Sequence, residues 1–461
     1  MIKKVTFIII AILLQSVLLF GENSGTITIH GFMSQGYLQS DLNNYLAETK
    51  KGSFEFNEAG INFSTQVTDK LRVGMQLFAR DLGDYGNDEI SIDWAFADYR
   101  YNNYFGFLAG KIKIAHGLYN EVRDIDLVRT CILMPRSIYI EPMREIFAGM
   151  KGAGIYGELP GGFSYRLAGG IVEIDKSSHV AQTLLAVTER SVRNNIHTAV
   201  VSGAAAVDDV LSVNPTASMG DVISYYQSIN NTNAVSAVQV YAAVGGNETN
   251  TTSAATFADT AVAITQGESI GVDASDTFNA RIQWETPLPG LKFSLTYLKL
   301  GLDLDMNFGA IVGSRTLEVS TVDGTVGSVE YTLGNTVIAG EYQAITLDAK
   351  INTTSLKQEM ECWYTSISHR FTDWLELGTY YSVTYPDKHD KKGDRYKSIG
   401  LPAPLGWEKD ICFSARIDIN PFWTFKLEGH TINGAYYSTY EEGEKIHEDF
   451  SVFAGKVTFN F

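Results

Sequence analysis

Val457-Thr458-Phe459-Asn460-Phe461 ends the chain, and the alternation in these five residues decides the fold class. Val457, Phe459 and Phe461 share one parity with Gly455 and Phe453, while Asn460, Thr458 and Lys456 occupy the other. A β-strand sends successive side chains to opposite faces, so the pattern fits a strand with lipid on one side and water on the other. Aromatic residues belong at the membrane boundary of such a strand, and the chain stops on one.

The opposite end carries a compatible signal. Lys3 and Lys4 form a short basic region, Val5 to Phe20 is almost uninterruptedly apolar, and Gly21-Glu22 offers a cleavage point. Residues 1–21 therefore read as a removable secretory signal, too short to span a bilayer comfortably. No Cys follows the run, which argues against a lipoprotein. Removing the two lysines takes the formal net charge from −17 to −19. Beyond the signal no apolar stretch of roughly 18 residues is expected, hence no transmembrane helix. Export without a helical anchor leaves the periplasm, the medium or an outer membrane.

Composition narrows the choice. Aromatics make up 12% of the chain and charged residues only 19%, with 42 glycines and 10 prolines. The acidic balance argues against nucleic acid as a partner. Cys131, Cys362 and Cys412 form no disulfide framework; Cys362 and Cys412 fall on strands placed two apart, too far for an easy bridge.

A repeating grammar runs along the chain: a strand of about ten residues, a tight turn, a second strand, then a longer polar loop. Ala59, Ile61, Phe63, Thr65 and Val67 make one face, with Glu58, Asn62, Ser64 and Gln66 between them. After the turn at Thr68-Asp69-Lys70, Leu71, Val73, Met75, Leu77 and Ala79 resume the apolar face. Arg72 and Arg80 lie opposite and must face water, since an arginine against lipid costs a few kcal/mol. Tight turns recur at Asn102-Asn103, 160–162, 287–290, 333–335, 370–373 and 420–422, where Gly, Asn and Pro supply the required backbone angles. Phe163, Trp284, Tyr331, Phe371, Trp374, Trp423 and Phe461 cluster at these turns as one aromatic girdle. Longer loops fall near 41–52, 82–88, 115–148, 174–276, 301–324, 346–356, 385–408 and 437–448. Seven short turns and eight long loops give sixteen strands of about eleven residues each. Counts of fourteen or eighteen also fit, because 357–368 could face either way and 24–40 puts Phe32 on the polar face.

Residues 174–276 stand apart as a long segment rich in Ala, Ser, Thr, Asn and Val. Ser178 to Arg193 has helical apolar spacing, and Asn247 to Ala261 is of low complexity. The plainer reading is a bulky surface excursion; the sharper one is a small external unit that caps a pore or contacts a partner.

This layout resembles the sixteen-stranded porins of Gram-negative bacteria, and the final Phe is similar to the terminal strand that outer-membrane assembly machinery recognises in them. The resemblance covers the mature chain, 22–461, as architecture rather than motif. It implies an all-β transmembrane antiparallel β-barrel whose third external loop folds inward. It further implies a homotrimer among outer-membrane lipid and lipopolysaccharide, passing small hydrophilic solutes and using no cofactor. The third loop is Ala115 to Ala148. It carries Glu121, Arg123, Asp124, Asp126, Arg129, Arg136, Glu141, Arg144 and Glu145, interleaved with Leu118, Ile125, Leu127, Ile132, Leu133, Met134, Ile138 and Ile140. Aliphatics at that density suit a loop packed on the inner wall, with its charges lining the remaining opening, at least three of the four arginines among them. The plainer alternative is that the charges pair with the wall and fix the loop. Wall residues on the polar parity include Arg72, Arg80, Lys111, Lys113, Arg166, Arg281, Lys292, Arg416, Lys426 and Lys456, nearly balanced by acids such as Glu58, Asp93, Glu330, Glu341, Glu376 and Glu428. A transverse field across the opening would follow.

Catalytic readings find little support. His30, His116, His369 and His430 have no metal-ligand spacing to another His or Cys, so no metal is expected. No motif nominates an outward Ser–His pair, and Gly152-Ala153-Gly154 lacks the helix a phosphate-binding loop requires. The alternatives to a general diffusion channel are a solute-selective channel, for an anion or an oligosaccharide, and a surface adhesin or receptor working through 174–276.

Overall fold

The computed structural model describes residues 26–83, 88–174, 179–253, 268–274, 276–307, 314–351, 354–398, 401–439 and 444–461. The secretory signal at 1–21 lies outside them, as do Glu441, Glu442, residues 254–261 of the low-complexity stretch and the side chain of Glu145.

Sixteen strands close into one barrel: β1 (Thr28–Ser40), β2 (Phe56–Thr68), β3 (Leu71–Leu82), β4 (Ser91–Asn102), β5 (Phe105–Lys113), β6 (Gly149–Leu159), β7 (Phe163–Ile171), β8 (Asp276–Glu285, prolonged by Glu268–Ala274), β9 (Leu291–Asn307), β10 (Ser314–Leu333), β11 (Thr336–Ile351), β12 (Thr354–Arg370), β13 (Leu375–Tyr385), β14 (Glu408–Asp418), β15 (Trp423–Gly434) and β16 (Asp449–Asn460). Each pairs antiparallel with the next, and β1 closes the cylinder by pairing with both β2 and β16. At the seam Gly31 and Phe461 exchange two backbone hydrogen bonds of 3.0 Å. The Phe461 ring fills the space that a Cβ on residue 31 would need, which explains the glycine there.

Burial is inverted relative to a water-soluble protein. Ile29, Met33, Phe107, Phe278, Leu295, Ile367 and Phe413 are exposed on the outer wall, whereas Gln76, Asn279, Gln343, Lys426, Glu428, Lys456 and Thr458 are buried inside. So continuous an apolar exterior has no place in water and suits a hydrocarbon surround. On β12 the ambiguity resolves with Trp363, Thr365 and Ile367 outward and the buried Cys362 and Tyr364 inward. Phe32 does face the lumen, because Gly60 on β2 leaves room for its ring.

All seven expected tight turns are present, with Gly161, Gly162, Gly290 and Gly334 at positive φ. Around them Phe163 stacks on Trp284 at 5.5 Å, and Trp423 packs on Phe459 at 4.9 Å. Two expected loops are corrected. Residues 301–324 and 346–356 belong largely to β9–β12, and β10 alone runs 20 residues. At ~3.3 Å per residue that is about 66 Å, far more than a ~25 Å apolar band needs, so these hairpins continue as ribbons beyond the membrane. Asp303 and Asp305 give this stretch the look of a polar loop, although Leu300, Leu302, Leu304 and Met306 keep the strand alternation around them.

The long excursion holds α1 (His179–Val213), α2 (Met219–Ser228) and α3 (Thr232–Ala243). Ser218 and Asp221 form a reciprocal capping box at α2, and the Asn231 side chain caps α3. Gly203 lets α3 approach closely, since a Cβ there would strike the Ala237 carbonyl. Val200, Val207, Val222, Val238 and Tyr241 are fully buried in a cluster that also includes Leu298 and Leu300 of β9, Ile114 just past β5 and Ile146 of loop 115–148. The expectation of no long apolar stretch is corrected as well. Ile196–Val213 is a helical window with mean hydropathy 1.3, and Val200, Ala204 and Val207 use its apolarity within this cluster.

Candidate functional site

Loop 115–148 leaves β5 and crosses the lumen to the far wall before returning to β6. Its first residue is held at both backbone polar groups by Asn279 of β8, at 2.8 and 2.9 Å. The Glu341 carboxylate of β11 then accepts from the Leu118 N–H at 2.8 Å, the Tyr139 hydroxyl at 2.5 Å and the Ser328 hydroxyl at 2.6 Å. Farther round, Lys426 of β15 donates to the carbonyls of Asp126 and Arg129 at 2.7 and 2.8 Å. Glu428 accepts the N–H groups of Ile132 and Leu133. Arg416 of β14 reaches the Leu127 carbonyl, and Thr130 bonds Glu376 of β13. Glu376, Arg416, Lys426 and Glu428 belong to strands across the barrel from β5 and β6, so these hydrogen bonds tie loop 115–148 to the far wall.

The loop's charges are organised as two buried ionic knots. In the first, Glu141 binds Arg80 of β3 at 3.1 Å and Arg123 at 2.8 Å. Burial opposes ionisation of Glu141, but Arg123, Arg80 and Arg144 outweigh it and hold the carboxyl well below its ordinary range. In the second, Asp126 meets Lys426 at 3.1 Å, Lys456 at 3.4 Å and the Thr458 hydroxyl at 2.9 Å. Burial again opposes the charge, and Lys426, Lys456 and Arg129 overcome it. Asp124 is similarly tied to Lys113 at 2.7 Å and to Gln76 at 2.7 Å. Arg144 lies over the Phe78 ring and 3.6 Å from Asp93. Arg136 is sandwiched between Tyr45 and Tyr437 at 4.4 and 4.3 Å, with Glu408 at 4.0 Å. Burial, with Arg123 close by, pushes His116 down to about 4, so it is neutral near pH 7.

Arg136 and Arg144 are thus buried ties between loop and wall, Arg123 is a buried tie within the loop to Glu141 and Asn120, and Arg129 donates to the Arg123 carbonyl and borders open space. Glu121 is gripped by both Arg166 of β7 and Arg281 of β8. Lys111 shares the parity of the exposed Phe105 and Phe107 and bonds the Ile92 carbonyl rather than the loop. Arg72 is exposed beside a hollow of about 220 Å³ shared with Trp94, Lys113, Glu121 and Arg166. Of the aliphatics, Ile132, Leu133, Met134 and Ile138 are buried against the wall, whereas Ile125 and Val128 are exposed. Between the loop and β9–β14 lies a hollow of about 470 Å³, bordered by Arg129, Thr130, Lys292, Glu330, Glu376 and Tyr380.

Sequence spacing missed one grouping. Cys412 and His430 are direct cross-strand partners on β14 and β15. Glu428 lies two residues from His430 on the same face, and the three ligand atoms fall within 4.8 Å of one another. Residue spacing along the chain cannot show this; only the pairing register does.

No family model and no curated protein matches the sequence. Solved structures do. The outer-membrane channel DcaP of Acinetobacter baumannii superposes with a TM-score of 0.52 at 8% identity, covering 96% of this chain and 99% of that one. Salmonella typhi OmpF, solved with daunomycin, gives 0.50 at 9% identity over 95% and 98%. OmpT, an outer membrane protein of Vibrio cholerae, gives 0.50 at 9% over 96% and 99%. At such identities the likeness is one of fold: the chain is a sixteen-stranded, porin-like transmembrane β-barrel.

Proposed function

We propose that this porin-like barrel is an outer-membrane channel through which small hydrophilic solutes and ions diffuse passively, narrowed by loop 115–148. One observation carries the reading: a charged loop is bound across the lumen by wall residues from β3 to β16, inside a barrel whose exterior is apolar. A polar lumen with an apolar outside supports placement in an outer membrane, reached through the signal at 1–21, with lipid and lipopolysaccharide around it. Water and solute would pass where the loop leaves room, and the groups we assign to that passage are Arg129, Lys292, Glu330 and Glu376, with Arg72 at the second hollow. Charged side chains of both signs face each other there and set a field that polar solutes tolerate. The reading needs no cofactor and no covalent chemistry, and we take the assembly to be a homotrimer.

A second reading, a solute-selective channel, is favoured by how fully the loop occupies the lumen, where the larger of the two hollows described above holds only about 470 Å³. Single-channel recording in planar bilayers separates the readings. Ohmic conductance with weak ion preference supports general diffusion, and block or saturation by one solute supports selectivity. A silent bilayer would overturn both and leave a surface adhesin acting through 174–276. Cross-linking of the detergent-solubilised protein tests the trimer.

A further inference from the structure

Cys412, Glu428 and His430 form a cluster whose thiol and imidazole take no part in the loop anchoring described above. Cys412 and His430 face each other across the β14–β15 ladder, and all three side chains point to the inner face and are buried. The Cys412 thiol donates to Glu428 Oε1 at 2.9 Å, and Glu428 Oε2 stands 3.6 Å from His430 Nε2. On its other side His430 meets the Asp410 carboxylate, with Nδ1 to Oδ2 at 3.0 Å, and the Tyr380 hydroxyl donates to the same oxygen at 3.1 Å. A carboxylate accepting from Nδ1–H orients the ring so that Nε2 points toward Glu428. That Nε2 is buried and has no hydrogen-bond partner, although it is aimed at Glu428. An unsatisfied ring nitrogen in a dry interior is costly, and a cation at this point would satisfy it.

We propose that Cys412, Glu428 and His430 bind a divalent transition-metal ion of the zinc class, with Asp410 orienting the imidazole. A soft thiolate and a borderline imidazole beside one carboxylate suit Zn²⁺ and disfavour Ca²⁺ or Mg²⁺, whose shells are built from oxygen. Binding displaces the thiol proton of Cys412 and any proton that His430 carries on Nε2, both of which leave to solvent, and the S–H···O contact gives way to metal bonds from Cys412, Glu428 and His430. Glu428 also accepts the Ile132 and Leu133 N–H groups, so the ion would sit at the joint between wall and loop. The inference stands independently of what the barrel transports.

The test uses the full-length protein, folded in detergent, stripped with chelator and titrated with Co²⁺ as the spectroscopic stand-in for Zn²⁺. The expected result is one ion per chain, a thiolate-to-cobalt charge-transfer band, and its displacement by Zn²⁺. The band should persist in Cys362→Ser, which alters a buried thiol two strands away, and vanish in Cys412→Ser. His430→Gln should weaken binding at least tenfold. Circular dichroism and heat-dependent gel mobility identify any variant that has not folded, and the wild-type titration decides the question even then. Absence of the band in the wild type, or its survival in folded Cys412→Ser, would overturn the site.

Discussion

Asp126→Asn tests whether the ionic knots hold the loop. Asp126 is the acceptor shared by Lys426 at 3.1 Å, Lys456 at 3.4 Å and Thr458 at 2.9 Å, and all four side chains are buried. Asparagine keeps the shape and removes the charge, leaving two buried ammonium groups with one formal partner, Glu58, at 2.6 Å from Lys456. Removing one member of a buried ionic cluster costs about 3–5 kcal/mol. At 1.4 kcal/mol per decade, the displaced-loop population should rise by roughly two to three and a half orders of magnitude. Arg123, Arg129, Arg136 and Arg144 then become trypsin sites, and cleavage follows the open population when reclosing is faster than cutting. The folded protein in detergent is digested at fixed trypsin and the fragments from loop 115–148 are timed. Glu158→Gln is the control, because its pair with Arg100 at 2.9 Å is 50% and 63% exposed and contributes at most about 1 kcal/mol. Equal cleavage rates in the two variants would refute the idea that buried charge seats the loop. The same pair of states has a pH dependence. Because the Asp126 carboxyl is held below its ordinary value, its contribution is complete above about pH 4 and declines as pH falls below that point. Trypsin is inactive there, so pepsin replaces it, and accelerated wild-type cleavage on acidification is the expected outcome.

Arg72→Glu removes a cation from a lumenal hollow without breaking a described ion pair, so reversal potentials in a salt gradient should shift toward cations with thermal stability within about 0.5 kcal/mol. Deleting Phe461 removes both Gly31 hydrogen bonds and the ring over Gly31. Heat-dependent mobility should then show slower barrel closure, and an unchanged folding rate would contradict the seam assignment. Replacing 179–253 with a short Gly/Ser linker should leave single-channel conductance within about twofold if the helical unit is accessory, although Leu298 and Leu300 lose apolar cover and the rim should become more protease-sensitive.

Much of the barrel was legible because lipid enforces a local rule. Every stave crossing hydrocarbon must alternate, and every short hairpin needs residues such as Gly290 or Gly334 that accept positive φ. The strand count, the girdle and the closure by Phe461 all follow from that. Where the ladder runs on past the membrane, the outer parts of β9–β12 were read as loops, because polar residues such as Asp303 and Asp305 outweighed the alternation of Leu302, Leu304 and Met306. The helix from Ile196 to Val213 was missed for the reverse reason: its Ala and Val residues are apolar without being bulky.

For the channel interior the division is sharper. The sequence by itself determined that loop 115–148 carries charges and aliphatics suited to an inner wall, and that Arg80, Arg166, Arg281 and Arg416 belong to the inner face. Only the tertiary structure decided which charges meet, because Asp126 and Lys426 are 300 residues apart and a loop's path across a lumen leaves no periodic trace. The same holds for Cys412, Glu428 and His430, brought together by the register of two strands. Alternation is a local consequence of the solvent on each face, whereas partnership is a consequence of closure, and closure exists only once all sixteen strands are in place.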